Sequence, residues 1–156
     1  MGLRKAKSIR HNGRTVAEIL EAHMRFFQGK EGGTRADLAG ADLSRADLSG
    51  ANLRQADLRN ADLTEAILPG ADLTEAQASG IEFFRCDLSN ANFERAQLRN
   101  VNLRGANVNG AKFKGADLGV AILRETDLSG ADLSGVDLST TLMPKGWAAQ
   151  SKQKSA

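Results

Sequence analysis

An all-β solenoid, a four-sided tube of short parallel β-segments closed at its N-terminal end by one α-helix, is the fold class the sequence predicts. Three observations predict it. From Ala36 to Thr140 a small or apolar residue, a polar residue and a Leu or Phe recur every five residues, as in ADLAG ADLSR ADLSG ANLRQ ADLRN, through 105 residues or 21 units. A period of five matches neither the 3.6 of a helix nor the alternation of a long strand, and a short period at high copy number points to a solenoid. Finally, nine of the eleven residues that close alternate units (Gly40, Gly50, Asn60 and onward) are Gly or Asn, against three of the ten between them. Corners that need positive φ select Gly and Asn, so two corner types alternate and the number of sides is even. Four is the smallest even number that encloses Leu and Phe, which sets a coil at 20 residues.

Within a unit the first and third residues are two apart, so in an extended segment they share a face and turn inward. One coil then buries four large and four small side chains. At roughly 1.5–3 kcal/mol per large apolar residue, it cannot offset an ordering cost of about 1–2 kcal/mol per residue. Stacked coils add hydrogen bonds at about 4.8 Å spacing, for a rod of roughly 25 Å. The ends of such a stack are apolar edges that need covers.

Taken in order, residues 1–14 hold Arg4, Lys5, Lys7, Arg10 and Arg14 without an acid and read as a basic, flexible N-terminal arm. Asn12-Gly13 suits a hairpin turn inside it. Residues 15–35 read as a capping helix and hinge. Thr15 and Glu18 form a capping box, Val16, Ile19, Leu20, His23, Phe26 and Phe27 follow at helical spacing, Gly29 ends the helix, and GKEGG is the hinge. The stripe is expected to lie across the first coil, with Phe26 and Phe27 as capping contacts. Residues 36–143 are the repeat. Inside it Ala78 stands where Leu is expected and Ile81 where Ala is, a repacking that conserves volume, and Cys86 takes an inward position. Residues 144–156 read as a C-terminal cap and flexible tail. Met143 keeps an inward position, Pro144 stops pairing, and Trp147 is either a lid on the last coil or part of a twofold contact with another copy.

The A(D/N)Lxx unit resembles the pentapeptide-repeat family, and the likeness covers about two thirds of the chain. It implies a right-handed quadrilateral parallel β-helix of about five coils, with Ala and Leu inside and the other three positions facing solvent. It also implies a possible function, since some members of the family imitate DNA and bind DNA gyrase or other type II topoisomerases, giving quinolone or toxin resistance.

The residues themselves point away from catalysis. Two histidines, His11 and His23, one cysteine and no phosphate-binding loop supply no catalytic or metal-binding constellation, and no cofactor is expected. No apolar run of 18 residues exists. The start MGLRKAKS lacks the apolar core of a signal peptide, so a cytoplasmic location is expected. The repeat from Ala36 to Met143 carries 16 acids and 10 bases, whereas residues 1–35 carry eight bases and three acids. A net charge of −6 is well short of the roughly 15 charges duplex DNA presents over 25 Å, which favours a structural or protein-interaction module over a DNA mimic. No direct nucleic-acid contact is expected, and the chain is expected to be a monomer or an end-to-end homodimer. Candidate contacts are Phe84 and Ile122, outward on one side, and Ile67 with Asp47, Asp87 and Asp127 on the next, a column with no base.

Overall fold

The computed structural model describes residues 2–147. Parallel backbone bridges join residues 20 apart along most of the repeat. Asp37, Asp42, Asp47 and Asn52 pair with Asp57, Asp62, Ile67 and Asp72, and the ladder continues in the same register to the pair Ile122–Leu142. Each 20-residue coil therefore has four segments, all bridged except at Asp127 and Asp137 near the C-terminal end. We number the faces in chain order: face one begins with residues 36–40, face two with 41–45, face three with 46–50 and face four with 51–55.

One unit, residues 56–60, shows how the repeat satisfies its backbone. Ala56 N–H closes the corner onto Leu53 O at 3.1 Å, Asp57 N–H donates down to Ala36 O at 2.9 Å, and Leu58 and Asn60 donate up to Gln77 O and Ser79 O at 2.7 and 3.0 Å. The fourth amide, on Arg59, finds no carbonyl and instead donates to Oδ1 of Asp57, two residues back, at 3.1 Å. The polar second position is thus an Asx acceptor for the fourth amide. Period and polarity alone assign that position only to solvent, and the structure adds this second use.

The interior follows the expected partition. The first- and third-position residues from Ala36 to Leu123 are buried apart from the partly buried Ala51. The coil that holds both Phe83 and Phe93 takes Ala78 at a third position, and all three are fully buried. Phe93 stacks on Phe113 of the next coil at 4.9 Å and meets Phe83 edge-on at 5.7 Å. Two inward polar groups are silenced alike. Cys86 Sγ donates to Leu63 O and Thr126 Oγ1 to Leu103 O, each carbonyl 23 residues upstream and each contact 2.7 Å.

The corners differ from expectation. Positive φ is not confined to alternate corners, because Arg45, Gln55, Glu65, Glu75, Arg85, Arg95 and Glu125 adopt φ of 54–59° just as Gly40 and Gly50 adopt 67° and 65°. The excess of Gly and Asn has in part another cause, the stacking of corners one above another. A Cβ on Gly80 or Gly110 would collide with the Asn60 or Asn90 side chain one coil below. Val120, at φ 51°, is the single β-branched residue among the described positive-φ corners.

The N-terminal segment is not a free arm. Strand β1 (Arg4–Lys5) pairs in parallel with the short strand formed by Ala46–Asp47, extending face three by one rung. Arg4 donates to Asp42 Oδ1 at 3.0 Å and to Ser44 O at 3.1 Å. Strands β2 (Arg10–His11) and β3 (Arg14–Thr15) form the hairpin turned by Asn12 and Gly13, with φ of 49° and 79°. Charge is the conspicuous feature of this segment, but Ile9, 1% exposed, is what anchors it in the core.

Helix α1 (Val16–Phe27) starts at the capping box, in which Thr15 and Glu18 each accept the other's backbone N–H. It buries Val16, Ile19, Ala22 and His23. Gly33 lets the hinge touch the helix, since a Cβ there would lie 2.5–2.7 Å from the Arg25–Phe26 backbone. Phe26 departs from its expected capping role. By angle it belongs to the buried stripe, yet in the last turn it stays 41% exposed, with the Arg35 guanidinium 5.8 Å from its ring. Phe27 is half-buried, 5.1 Å from the Arg54 guanidinium.

His23 ties helix to coil: its Nδ1 accepts the Ala36 N–H at 2.9 Å, while its buried Nε2 has no hydrogen-bond partner. At the other end Leu133, Val136 and Leu138 are only partly buried, with Met143 and Trp147 packed against the core. The expected flexible tail, residues 148–156, lies outside the described residues.

Two outcomes are expected from these contacts. Replacing Val120 by Asn relieves a β-branched residue of a left-handed conformation that costs about 1–2 kcal/mol. We expect thermal unfolding of Val120→Asn to occur about 2–4 °C above wild type, as read by calorimetry. Burial, with Arg35 adding to it, holds the His23 pKa below the usual imidazole value, opposed by the Arg54 backbone. A depressed pKa means the unfolded chain binds the proton more tightly, so this stability is present above about pH 6.5. It is lost as the pH falls through the lower folded value. The melting temperature of wild type should therefore drop between neutral and mildly acidic pH by more than that of His23→Asn, whose Oδ1 takes over the Ala36 amide without titrating.

Candidate interaction surface

Face three gathers the acidic column expected to dock a partner, and the structure engages those acids locally. Oδ1 of Asp47 accepts the Ser49 amide at 3.2 Å and its hydroxyl at 2.7 Å, and these two bonds, with Lys5 nearby, hold the carboxyl below the usual carboxylate range. Asp87 and Asp127 accept the Ser89 and Ser129 amides, each at 3.0 Å. Ile67 interrupts the column without leaving an orphan, because the residue two ahead is Pro69, which has no N–H to satisfy. The same holds on face two for Leu142 and Pro144. The chain has two prolines, and each follows an apolar second-position residue by two.

Ile122 is the remaining apolar second position, and it is followed by Arg124, whose amide has no side-chain acceptor among the described residues. It lies on face two, paired through the ladder with Leu142, which is 45% exposed. Val120, 47% exposed, stands at the corner where this face begins its coil. Phe84 is half-buried on the same face, with the guanidinium groups of Arg85 and Arg104 at 5.0 and 5.9 Å from its ring. Arg104 is fixed in turn by a forked pair to Glu125, at 2.8 and 3.1 Å, and that pairing depresses the Glu125 pKa. A shallow cavity of about 320 Å³ lies over Ile122 and Leu142, rimmed by Asn102, Arg104, Arg124 and Glu125.

The structure brings Phe84 and Ile122 onto one face, with Ile67 and the acids on the next. Leu142 and the arginines are members of this surface that sequence reasoning missed. Extending the register one unit past Thr140 puts Leu142 directly above Ile122, a signal that was available. Elsewhere the charges are largely paired. On face four Glu75 bridges Gln55 and Arg95 at 2.9 and 3.0 Å, and on face one Arg59 and Arg99 pair with Asp57 and Asp117.

Burial pushes the Cys86 thiol up to about 12, so it carries no thiolate near neutral pH. Among the described residues no three His, Cys, Asp or Glu side chains gather in a metal-binding arrangement, and no helix is long and apolar enough to cross a membrane.

A polar-sided tube with a hydrophobic bore and an apolar patch on face two defines a repeat-built scaffold. The chain belongs to the pentapeptide-repeat family, whose model matches residues 34–68, 81–119 and 102–139 in 8 copies. Among solved structures it is similar to a pentapeptide repeat protein of the Arabidopsis thaliana thylakoid lumen, at 33% identity and TM-score 0.49, covering 59% of this chain and 68% of that one. It is also similar to Rfr23 of the cyanobacterium Cyanothece, at 35% identity and TM-score 0.44, covering 64% and 65%. A third, from Nostoc, is 31% identical with TM-score 0.35 and coverage of 84% and 96%. The chain spans about two thirds of the length of the first two. No curated protein matches it.

The link between the second and fourth positions makes a double-mutant prediction. Asp87→Ile orphans the Ser89 amide and should destabilise by about 1 kcal/mol in denaturant titrations. Adding Ser89→Pro, which removes that N–H at a position where Pro69 is already accommodated, should recover most of the loss.

Proposed function

We propose that the chain is a non-catalytic protein–protein interaction module, a right-handed quadrilateral β-helix of about five coils that presents face two to a protein partner. One observation carries this reading. Three large apolar side chains outside the tube, Phe84, Ile122 and Leu142, share one face, and Ile122 stands there without the proline that accompanies the others at second positions. Aromatic and arginine side chains side by side, as in Phe84 between Arg85 and Arg104, are what energetically dominant contacts are commonly made of.

A gyrase-binding DNA mimic is the other function that the family raises. It is less well supported, because the second-position aspartates that would stand for phosphates each have a structural use in closing their own unit, and arginines are interleaved among them.

The test is recovery of a partner from the source cell on immobilised protein. We expect Phe84→Glu and Ile122→Glu to lose a partner that wild type and Lys112→Glu, on face four, retain. Equal recovery by all four removes face two from the reading.

A further inference from the structure

The docking role of face two extends to the chemistry of the partner, an extension that rests on the interaction-module reading. Along this face the charge changes sign. On the N-terminal side of Phe84 the acids Asp42, Asp62, Glu65 and Glu82 outnumber the bases Arg45 and Arg4, the latter paired with Asp42, whereas on the other side Arg85, Arg104, Arg124 and Lys145 outnumber Glu125. Arg104 is already held by Glu125 and stacked near Phe84. Arg124, on the rim of the cavity, is exposed and makes no ion pair or hydrogen bond by its side chain among the described residues. Lys145 is likewise exposed.

We propose that the C-terminal half of face two binds an acidic peptide segment bearing one bulky apolar side chain. A Leu or Phe of the partner fills the cavity against Ile122 and Leu142, whose 320 Å³ has room for one such group. Carboxylates of the partner engage Arg124 and Lys145. A neutral apolar segment would cover the Arg124 guanidinium without giving it a partner, which costs the charge its hydration. A basic segment would meet like charge. Bidentate carboxylate recognition, by contrast, suits a guanidinium free to take it.

The experiment is selection of a displayed library of random dodecapeptides on the immobilised full chain, followed by titration of the synthesised winner. Enriched sequences should carry at least two Asp or Glu residues beside a Leu, Phe or Trp. The winner should bind about tenfold more weakly to Arg124→Glu and to Ile122→Glu, weaken as salt is raised, and be indifferent to Lys112→Glu. Unchanged circular dichroism and melting of each variant establish that the surface alone has changed.

Enriched sequences that are basic or neutral, yet still lost on Ile122→Glu, overturn the acidic assignment and leave the face-two reading standing. Sequences indifferent to Ile122→Glu overturn both. No enrichment, or a wild-type chain that sediments as a dimer abolished by Arg124→Glu, also overturns the proposal, the latter in favour of a second copy as the occupant.

Discussion

Everything in this fold hangs on one amide per unit. In the middle of the rod each five-residue segment has four N–H groups that find carbonyls, two of them in the coil above, one in the coil below and one across the corner, while the fourth-position N–H finds none. A donor left so at the surface of a tight coil is satisfied by water or by an acceptor within two residues, and a short side chain ending in an sp² oxygen is the kind that reaches back from the second position. Asp and Asn are therefore favoured by the turn, although Gln77, Glu82, Gln97 and Lys112 show that it closes without them, and the A(D/N)Lxx pattern is a statement about backbone satisfaction as well as hydrophobic burial. Where proline occupies the fourth position the requirement lapses, and Ile67 and Leu142 show what enters once it does.

The same economy sets what the corners tolerate. A non-glycine residue at positive φ costs about 1–2 kcal/mol, and the tube carries Arg, Gln and Glu there. Each unit recovers several backbone bonds at about 0.5–1.5 kcal/mol apiece and buries its Leu and Ala, so the strain is borne by the stack and not by the corner. This holds in the middle of the rod. It fails at an open end, which explains why the N-terminal end is closed by Ile9, β1 and α1, and why side chains of the last coil are only partly buried.

The period of five, the inward positions and the 20-residue coil were legible because each repeats many times and one exception cannot hide it. The corner rule was misread. Gly and Asn do favour positive φ, but in a stack the space left by the corner below also selects them, as Asn60 under Gly80 shows, and composition alone cannot separate the two causes. What occurs once in the chain was harder to read. Ile9 is one of a few scattered apolar residues in a basic stretch, and Phe26 lies on the correct helical angle but in a turn covered by Arg35 instead of the coil. The cradle around Phe84 was available in principle, since Arg104 stands 20 residues on, one coil above. Its membership needed distances, because long side chains at neighbouring columns choose among several partners.

The candidate surface emerges from the structural rule by subtraction. An acid at a second position is expected of the fold and says little about function, so the face-three column of Asp47, Asp87 and Asp127 carries small weight even though it is the more conspicuous feature in the sequence. An apolar residue there with proline two ahead is also consistent with the rule. Ile122 is neither, since its neighbour Arg124 has an amide that the side chain at 122 does not serve. Gln77, Glu82, Gln97 and Lys112 also leave the fourth amide without a side-chain acceptor among the described residues but are polar and suit solvent, whereas an outward apolar residue that breaks the rule without a gain inside the fold is where function is to be sought. At Ile122 the break coincides with a cavity, an exposed Leu142 above it and a guanidinium without a partner among the described residues. The gain that offsets this departure lies outside the chain, in whatever covers face two.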